Sequence, residues 1–595
     1  MKNQGLFTFL ILICFGVSAC GTPPQPPTPN LAETAAPPFD QFIDTSFKDL
    51  LRRDPELVTI LGISVSLGMT DDSLTSLSDA YLQETRLMEI HTLQNLRRYD
   101  RSALSTQEQR IYDTYAWYLD DLVRGHEFAY RNYLVSQMID SPDQVLTQLF
   151  RDQQPVYSAE DARQYIQRLG EINKKMKEVI AGLERRREDG VMLPSFLIDW
   201  TLSGISPLAI DSPKSTAFYS GLEQKLEPLT NITPDEKQLL LGEAEAVIRD
   251  SVQPGFQSLV DELRSLKTSA PRQIGIGSLS DGQDYYAHLL RHHTSTEMGA
   301  EEIHRLGLSE LEKIQAEMRQ VFITLGYPED ESLPELYRRA ARDGGILEGR
   351  EVYDAYVRKI DEAKTETAPL FSRVPSVDVV VQPDPIGGFY MPPSMDGSRP
   401  GIFYASTGGS TPSYVIPTLV YHETVPGHHT QLALVGELGM PLFQSVASFN
   451  GYVEGWALYA EKLMAEKGVY NDDPYGYLGY LQFAARRAAR LVIDTGIHTQ
   501  GWEMDKATRF MVENTGMGER DSQFEAARMA VMPGQAVSYY IGYLKIMELR
   551  EKARAALGEK FDLRTFHDLI LGLGPVPLSV LENAVDDFIE AESTR

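Results

Sequence analysis

The chain has 595 residues, 42% of them hydrophobic, enough for a large core in one or several packed units. Its 56 basic against 84 acidic residues leave a net charge of −28, which argues against nucleic acid or an anionic lipid surface as the main partner. An acidic surface favours solubility and identifies no substrate.

The N-terminus reads as a targeting segment. Lys2 supplies a short positive region, and Leu6 to Val17 is an apolar run too short for a membrane span of about 20 residues. Val17-Ser18-Ala19-Cys20 follows and resembles a bacterial lipobox, in which the cysteine becomes the lipid-modified first residue. Residues 1–19 are then a signal peptide, the alternative being an ordinary secretory signal cut nearby. Cys14 falls in the removed segment, so the mature domain keeps no thiol for a disulfide. Residues 20–38 are rich in proline and read as an extended tether. Gly21 is not the aspartate associated with inner-membrane retention in many Gram-negative bacteria. The expectation is a lipid-anchored protein on the periplasmic face of the outer membrane. No later apolar run is long enough to span a membrane.

From Phe39 the pattern is mainly helical, and 39–595 reads as one helical domain. Between Ala159 and Gly190, Tyr165, Leu169, Ile172, Met176, Val179 and Leu183 recur at spacings of four and three, which predicts one buried helix face. Similar patterns cover Ala80–Arg98, Thr106–Val123, Asp235–Ser251 and Glu297–Leu325. Gly190 to Pro194 and Ser206-Pro207 read as breaks. Strand-like runs occupy Ser376–Gln382, Gly387 to Pro392 and Pro400–Ala405. The edge of such a small sheet can hydrogen bond an extended peptide, although structural strands explain the runs equally well. Gly408 to Ser413 reads as a loop leading into a helix from about Tyr414.

Tyr421 to Gln431 holds the densest cluster of metal-ligand types in a chain with 11 histidines. His422-Glu423 opens like the zinc-peptidase motif His-Glu-x-x-His, but the i+4 position is Pro426, and the next histidines are His428 and His429. On an unbroken helix i+7 lies about 10.5 Å along the axis, too far for one ion. Proline and glycine at 426 and 427 predict a bulge that swings His428 back beside His422, with His429 as the alternative ligand. A second element, Tyr452 to Glu461, reads as a helix whose Glu454 completes a His/His/Glu set and leaves a fourth position for water. Glu461, two turns on, is the alternative ligand; the two cannot reach one ion together, and with Glu454 preferred Glu461 is expected to support a ligand from outside the metal.

His422-Glu-Thr-Val-Pro-Gly-His-His429 with Glu454-Gly-Trp-Ala-Leu-Tyr-Ala-Glu461 resembles the bacterial domain of unknown function 885 family, which is grouped with the gluzincin metallopeptidases. Glu454-Gly-Trp-Ala is also similar to the segment that brings the glutamate ligand in aminopeptidases of that clan. Dipeptidyl peptidase III is similar in carrying extra length within its histidine motif. The resemblance covers most of the chain from about residue 40, with the metal-site region at about 376–545. It implies a mainly α, large metallopeptidase-like fold: a small sheet beside a zinc-binding helix pair, and a central cleft. Two later stretches share it. Ile493 to His498 ends in a histidine able to donate to substrate, and Pro533 to Tyr540 offers Tyr539, or second Tyr540, as an oxyanion donor.

The reading is a peptide-bond hydrolase with one zinc on His422, His428 and Glu454. Glu423 serves as general base, and Tyr539 and His498 hold the oxyanion. Arg486, Arg487 and Arg490 form a basic cluster. All three are candidates to clamp a substrate carboxylate, Arg487 and Arg490 foremost, against the alternative that they pair with the protein's own acids, and the same choice faces Glu525 and Arg528. Two other functions remain open: a metal-dependent amidase of cell-wall peptides, and a lipid-anchored envelope binding or assembly protein with an inactive or structural metal site.

Overall fold

A computed structural model describes residues 36–385 and 387–594. The expected signal peptide, Cys20 and most of the expected tether lie outside the described residues. The fold is mainly helical with a small amount of sheet, and the chain from 39 onward divides into two compact units. One runs through Gln273 and takes in Ser394–Asp396; the other comprises Ile274–Pro393 and Gly397–Arg595.

In the first unit the predicted helices form close to their expected limits: Asp79–Leu96, Thr106–Gly125 and Pro234–Val247. Ser105 and Glu108 cap the second of these reciprocally, satisfying two backbone donors that a helix start leaves unpaired. The periodic run from Ala159 is two helices, Ala159–Gly170 and Ile172–Glu188. Glu171 between them keeps right-handed torsions (φ −76°, ψ −13°). Tyr165, Leu169, Ile172, Met176 and Val179 all stay buried across the join. The break expected at Ser206-Pro207 does not occur, because Ser195–Ile210 is continuous. Pro207 lies in its last turn, where the lost N–H removes one hydrogen bond, and its own carbonyl still accepts from Asp211 N.

In the second unit, strands β1 (Ile346–Glu348), β2 (Val380–Asp384), β3 (Phe389–Met391), β4 (Ile402–Ser406) and β5 (Ser410–Pro412) make two small sheets. One has the order β2-β4-β3, with β4 parallel to β2 and antiparallel to β3; the other pairs β1 with β5. β2 starts four residues later than the valine run suggests, and the expected loop at Ser410 is a strand, because Gly345 and Ile346–Glu348 supply it with a partner. Only a tertiary neighbour decides that. The helix Ala300–Thr324 falls within its predicted span.

Two helices of this unit, Asn450–Lys467 and Ser538–Leu557, cross at backbone contact. A Cβ on Gly455 would lie 2.4 Å from the Gly542 carbonyl carbon, so only glycine permits the approach. That crossing brings Glu454 and Tyr539 into one buried region. The helix Pro474–Gln500, begun by Asp473 accepting from Gly476 N, runs along the same core. Among the described residues no helix is long and apolar enough to cross a membrane.

Candidate metal centre

The helix Ile416–Glu423 starts with proline in its first turn and ends at His422-Glu423, both fully inside the protein. The chain then turns through Thr424, a cis Val425–Pro426 bond and Gly427, and the helix His428–Glu437 begins. This is a break between two helices rather than the expected bulge in one. Gly427 makes it feasible, since a Cβ there would stand 1.9 Å from the His422 carbonyl oxygen. Trp456 Nε1 donates to the Pro426 carbonyl at 3.0 Å, tying the Glu454 helix to the turn. The result matches the expectation for the side chains: the His422 and His428 rings lie 4.8 Å apart between centroids.

One ligand atom from each of His422, His428 and Glu454 lies within 4.8 Å of the others. Glu454 Oε2 is 3.5 Å from Nε2 of both histidines. That is long for a charge-assisted hydrogen bond, ordinarily about 2.7–2.9 Å. Ligand atoms held ~2.0–2.2 Å from a tetrahedral ion stand roughly 3.3–3.6 Å apart, and the spacing fits that. The same atoms, Nε2 of His422 and His428 and both Glu454 oxygens, are buried without a hydrogen-bond partner. Buried polar atoms are seldom left so. The donor set therefore fits one divalent metal ion.

His422 Nδ1 meets Glu461 Oε1 at 2.7 Å, and Arg487 holds Glu461 at 3.3 Å. With its proton on Nδ1 donated to Glu461, His422 presents the Nε2 lone pair to the cluster. Burial alone would push the His422 imidazole down, but Glu454 and Glu461 outweigh it and the net shift is upward. For His428 burial wins and its pKa falls, despite Glu454 beside it. Burial works against the Glu454 carboxylate, yet the two imidazoles hold it well below the usual range. Glu461→Gln is expected to weaken metal affinity about 10–100-fold, read by competition with a chromophoric chelator. An unchanged affinity would remove Glu461 from that role.

Glu423 is not part of the set. Its Oε1 is 3.9 Å from His422 Nε2, and its Oε2 has no partner. Burial raises its pKa to about 8, with Glu454 and Glu461 adding to the rise against His422 and Arg487. Tyr539 lies almost parallel to the His422 ring, at 6.5 Å and 9°. Arg528 Nη2 donates to the Tyr539 oxygen at 3.0 Å, which leaves the phenol hydrogen free to be given elsewhere. Arg528, undecided from sequence alone, carries one signal of this role: it is an arginine amid Ala526, Ala527, Met529 and Ala530 on a buried helix.

Other candidates are placed elsewhere. His429 accepts at Nδ1 from the Tyr390 hydroxyl (2.9 Å) and donates from Nε2 to the Val377 carbonyl (3.0 Å), so both its ring nitrogens are engaged away from the His422, His428 and Glu454 cluster. Tyr540 donates to Glu310 at 3.0 Å, because neighbours on a helix point about 100° apart. His498 is fully buried, accepts from Ile276 N at 3.3 Å and donates from Nε2 to the Met529 carbonyl at 2.9 Å. Neither of its ring nitrogens is left for an oxyanion. Arg490 makes a two-pronged pair with Glu525 (2.7 and 2.9 Å), and Arg487 faces Glu461. Both arginines thus pair with the protein's own acids rather than standing ready for a substrate. A cavity of about 290 Å³ in the same unit is walled in part by Tyr356, Leu419 one turn before His422, Phe483 and Arg486, while the three candidate ligands are not in its wall.

The fold and site define a mainly helical protein with a buried His/His/Glu set suited to one metal ion. Residues 55–585 match the profile of the family described as bacterial protein of unknown function (DUF885), and the chain belongs to that family. Among solved structures it is similar to one from Colwellia psychrerythraea described as a "putative lipoprotein". Identity there is 27%, coverage is 93% of this chain and 99% of that one, and the TM-score is 0.87. A "putative lipoprotein of unknown function" from Shewanella oneidensis shares the fold at 18% identity, with 92% and 99% coverage and a TM-score of 0.70. No functionally curated protein matches the sequence.

Proposed function

We propose that the protein is a zinc-dependent hydrolase of peptide bonds, held at the bacterial envelope by a lipid on Cys20. The observation that carries the reading is the set of buried ligand atoms of His422, His428 and Glu454, all within 4.8 Å of one another, with Glu454 Oε2 3.5 Å from each imidazole and no hydrogen-bond partner on the facing atoms. Two imidazoles and a carboxylate suit zinc, as in catalytic sites that keep a fourth position open. Zinc bound there supplies Lewis acidity, lowering the pKa of water and polarising a carbonyl.

The remaining roles belong to the chain. Glu423, beside but outside the ligand set, takes the proton of the attacking water and passes it to the leaving amine. A cation nearby favours its charged form and offsets the effect of burial. Tyr539, with its oxygen already accepting from Arg528, gives its own hydrogen to the oxyanion. The gluzincin-like reading of His422-Glu423 and Glu454-Gly-Trp-Ala in the sequence is part of this proposal. The lipobox-like Val17 to Cys20, together with the description carried by both structural neighbours, supports the lipid anchor, and Gly21 supports the outer membrane.

The test is metal analysis of the purified protein combined with a panel of free peptides and peptidoglycan fragments. One zinc per chain and cleavage of free peptides are expected. Failure to take up any divalent metal would overturn the reading. Cleavage confined to peptidoglycan would move the substrate to the cell-wall amide, and metal binding without any cleavage would favour an envelope-assembly role.

A further inference from the structure

Three arginines on the helix Pro474–Gln500 meet three different environments. Arg487 faces Glu461 and Arg490 grips Glu525. Arg486 is only 7% exposed, yet no described residue forms a hydrogen bond or ion pair with it, and its Nε is buried without a partner. The guanidinium is held against the Phe483 ring, 4.8 Å from the centroid, and forms part of the wall of the 290 Å³ cavity. Of the cavity's two carboxylates, Glu525 is hydrogen bonded by Arg490, and Asp521 feels the Arg486 charge without a hydrogen bond to it. A buried, unpaired cation is costly unless something pairs with it during function. Burial lowers its pKa, with Arg487 and Arg490 adding to the fall, to about 9, so it keeps its charge at neutral pH.

We infer that this cavity is the subsite for a carboxylate-bearing residue of the peptide substrate, with Arg486 as its anion-binding residue. The inference rests on the hydrolase reading for the word substrate, but the subsite is a binding property with its own test. Tyr356, Leu419 and Phe483 supply an apolar wall for the residue's body, and the planar guanidinium supplies a fork for two carboxylate oxygens. The wall suits a peptide's C-terminal residue, whose own α-carboxylate would meet Arg486. An internal acidic side chain offers the same chemistry from another source.

Binding is read in the zinc-loaded Glu423→Gln protein, so that turnover does not intervene. The probes are fluorescent Ala-Ala-Phe as free acid and as amide, and amidated Ala-Ala-Glu against Ala-Ala-Gln. The free acid is expected to bind at least about tenfold more tightly than its amide. Adding Arg486→Gln should abolish that preference, and Arg486→Lys should recover part of it. A preference seen only for the glutamate peptide keeps the subsite and assigns the carboxylate to a side chain. Equal binding of both acid–amide pairs overturns the inference, as does a preference that survives Arg486→Gln. Circular dichroism checks folding. If Arg486→Gln does not fold, a preference unchanged in Arg486→Lys has the same force. Acid preference without cleavage in the parent would sink the hydrolase alone, and cleavage without acid preference would sink the subsite alone.

Discussion

Glu423→Gln is expected to lower peptide hydrolysis by about 10²–10⁴-fold while leaving one metal ion bound. Glutamine matches the size of the carboxylate it replaces and cannot take a proton. The ligand atoms come from His422, His428 and Glu454, and Glu423 stands outside them, 3.9 Å from His422 Nε2. Metal content should therefore be unchanged. Nor should folding suffer, because the lost group is a buried carboxyl whose Oε2 has no hydrogen bond to lose. Turnover numbers on the best peptide of the panel, with metal content measured on the same sample, decide the matter. Full activity in the variant would exclude Glu423 as the base.

Saturating zinc is expected to stabilise the parent protein by about 4 kcal/mol at a thousand times its dissociation constant, and His428→Ala scarcely at all. The native arrangement holds a carboxylate and two imidazoles in a dry interior with their facing atoms unpaired, so an ion that binds them binds the folded state alone. Removing His428 takes away one of three ligands. His429→Ala is the informative partner. It should lose about 1–3 kcal/mol, because Tyr390 and the Val377 carbonyl lose their hydrogen bonds, yet keep the whole zinc-dependent gain. Calorimetric scans with zinc and with chelator measure both quantities. A zinc effect lost in His429→Ala and kept in His428→Ala would reverse the ligand assignment.

Helix content, the small sheet and the three residues of the candidate metal site were all legible in the residues themselves. Periods of three and four placed the helices, β-branched runs marked the strands, and a His-Glu pair followed by a distant Glu-Gly-Trp named the candidate ligands. These signals are local, since each depends on residues a few positions apart. What remained open was what stands opposite each side chain. His428 and His429 are adjacent, and only the turn over Gly427 and the position of Tyr390 separate candidate ligand from structural partner. Tyr539 and Tyr540 differ by which neighbour, Arg528 or Glu310, lies on their side of the helix. His498 is occupied by backbone from Ile276, more than two hundred residues earlier. Arg486, Arg487 and Arg490 are alike in sequence and differ in whether a carboxylate closes an ion pair with them. The residue types needed for the chemistry are written along the chain, whereas their division between ligand, support and substrate contact follows from long-range packing that no local pattern encodes.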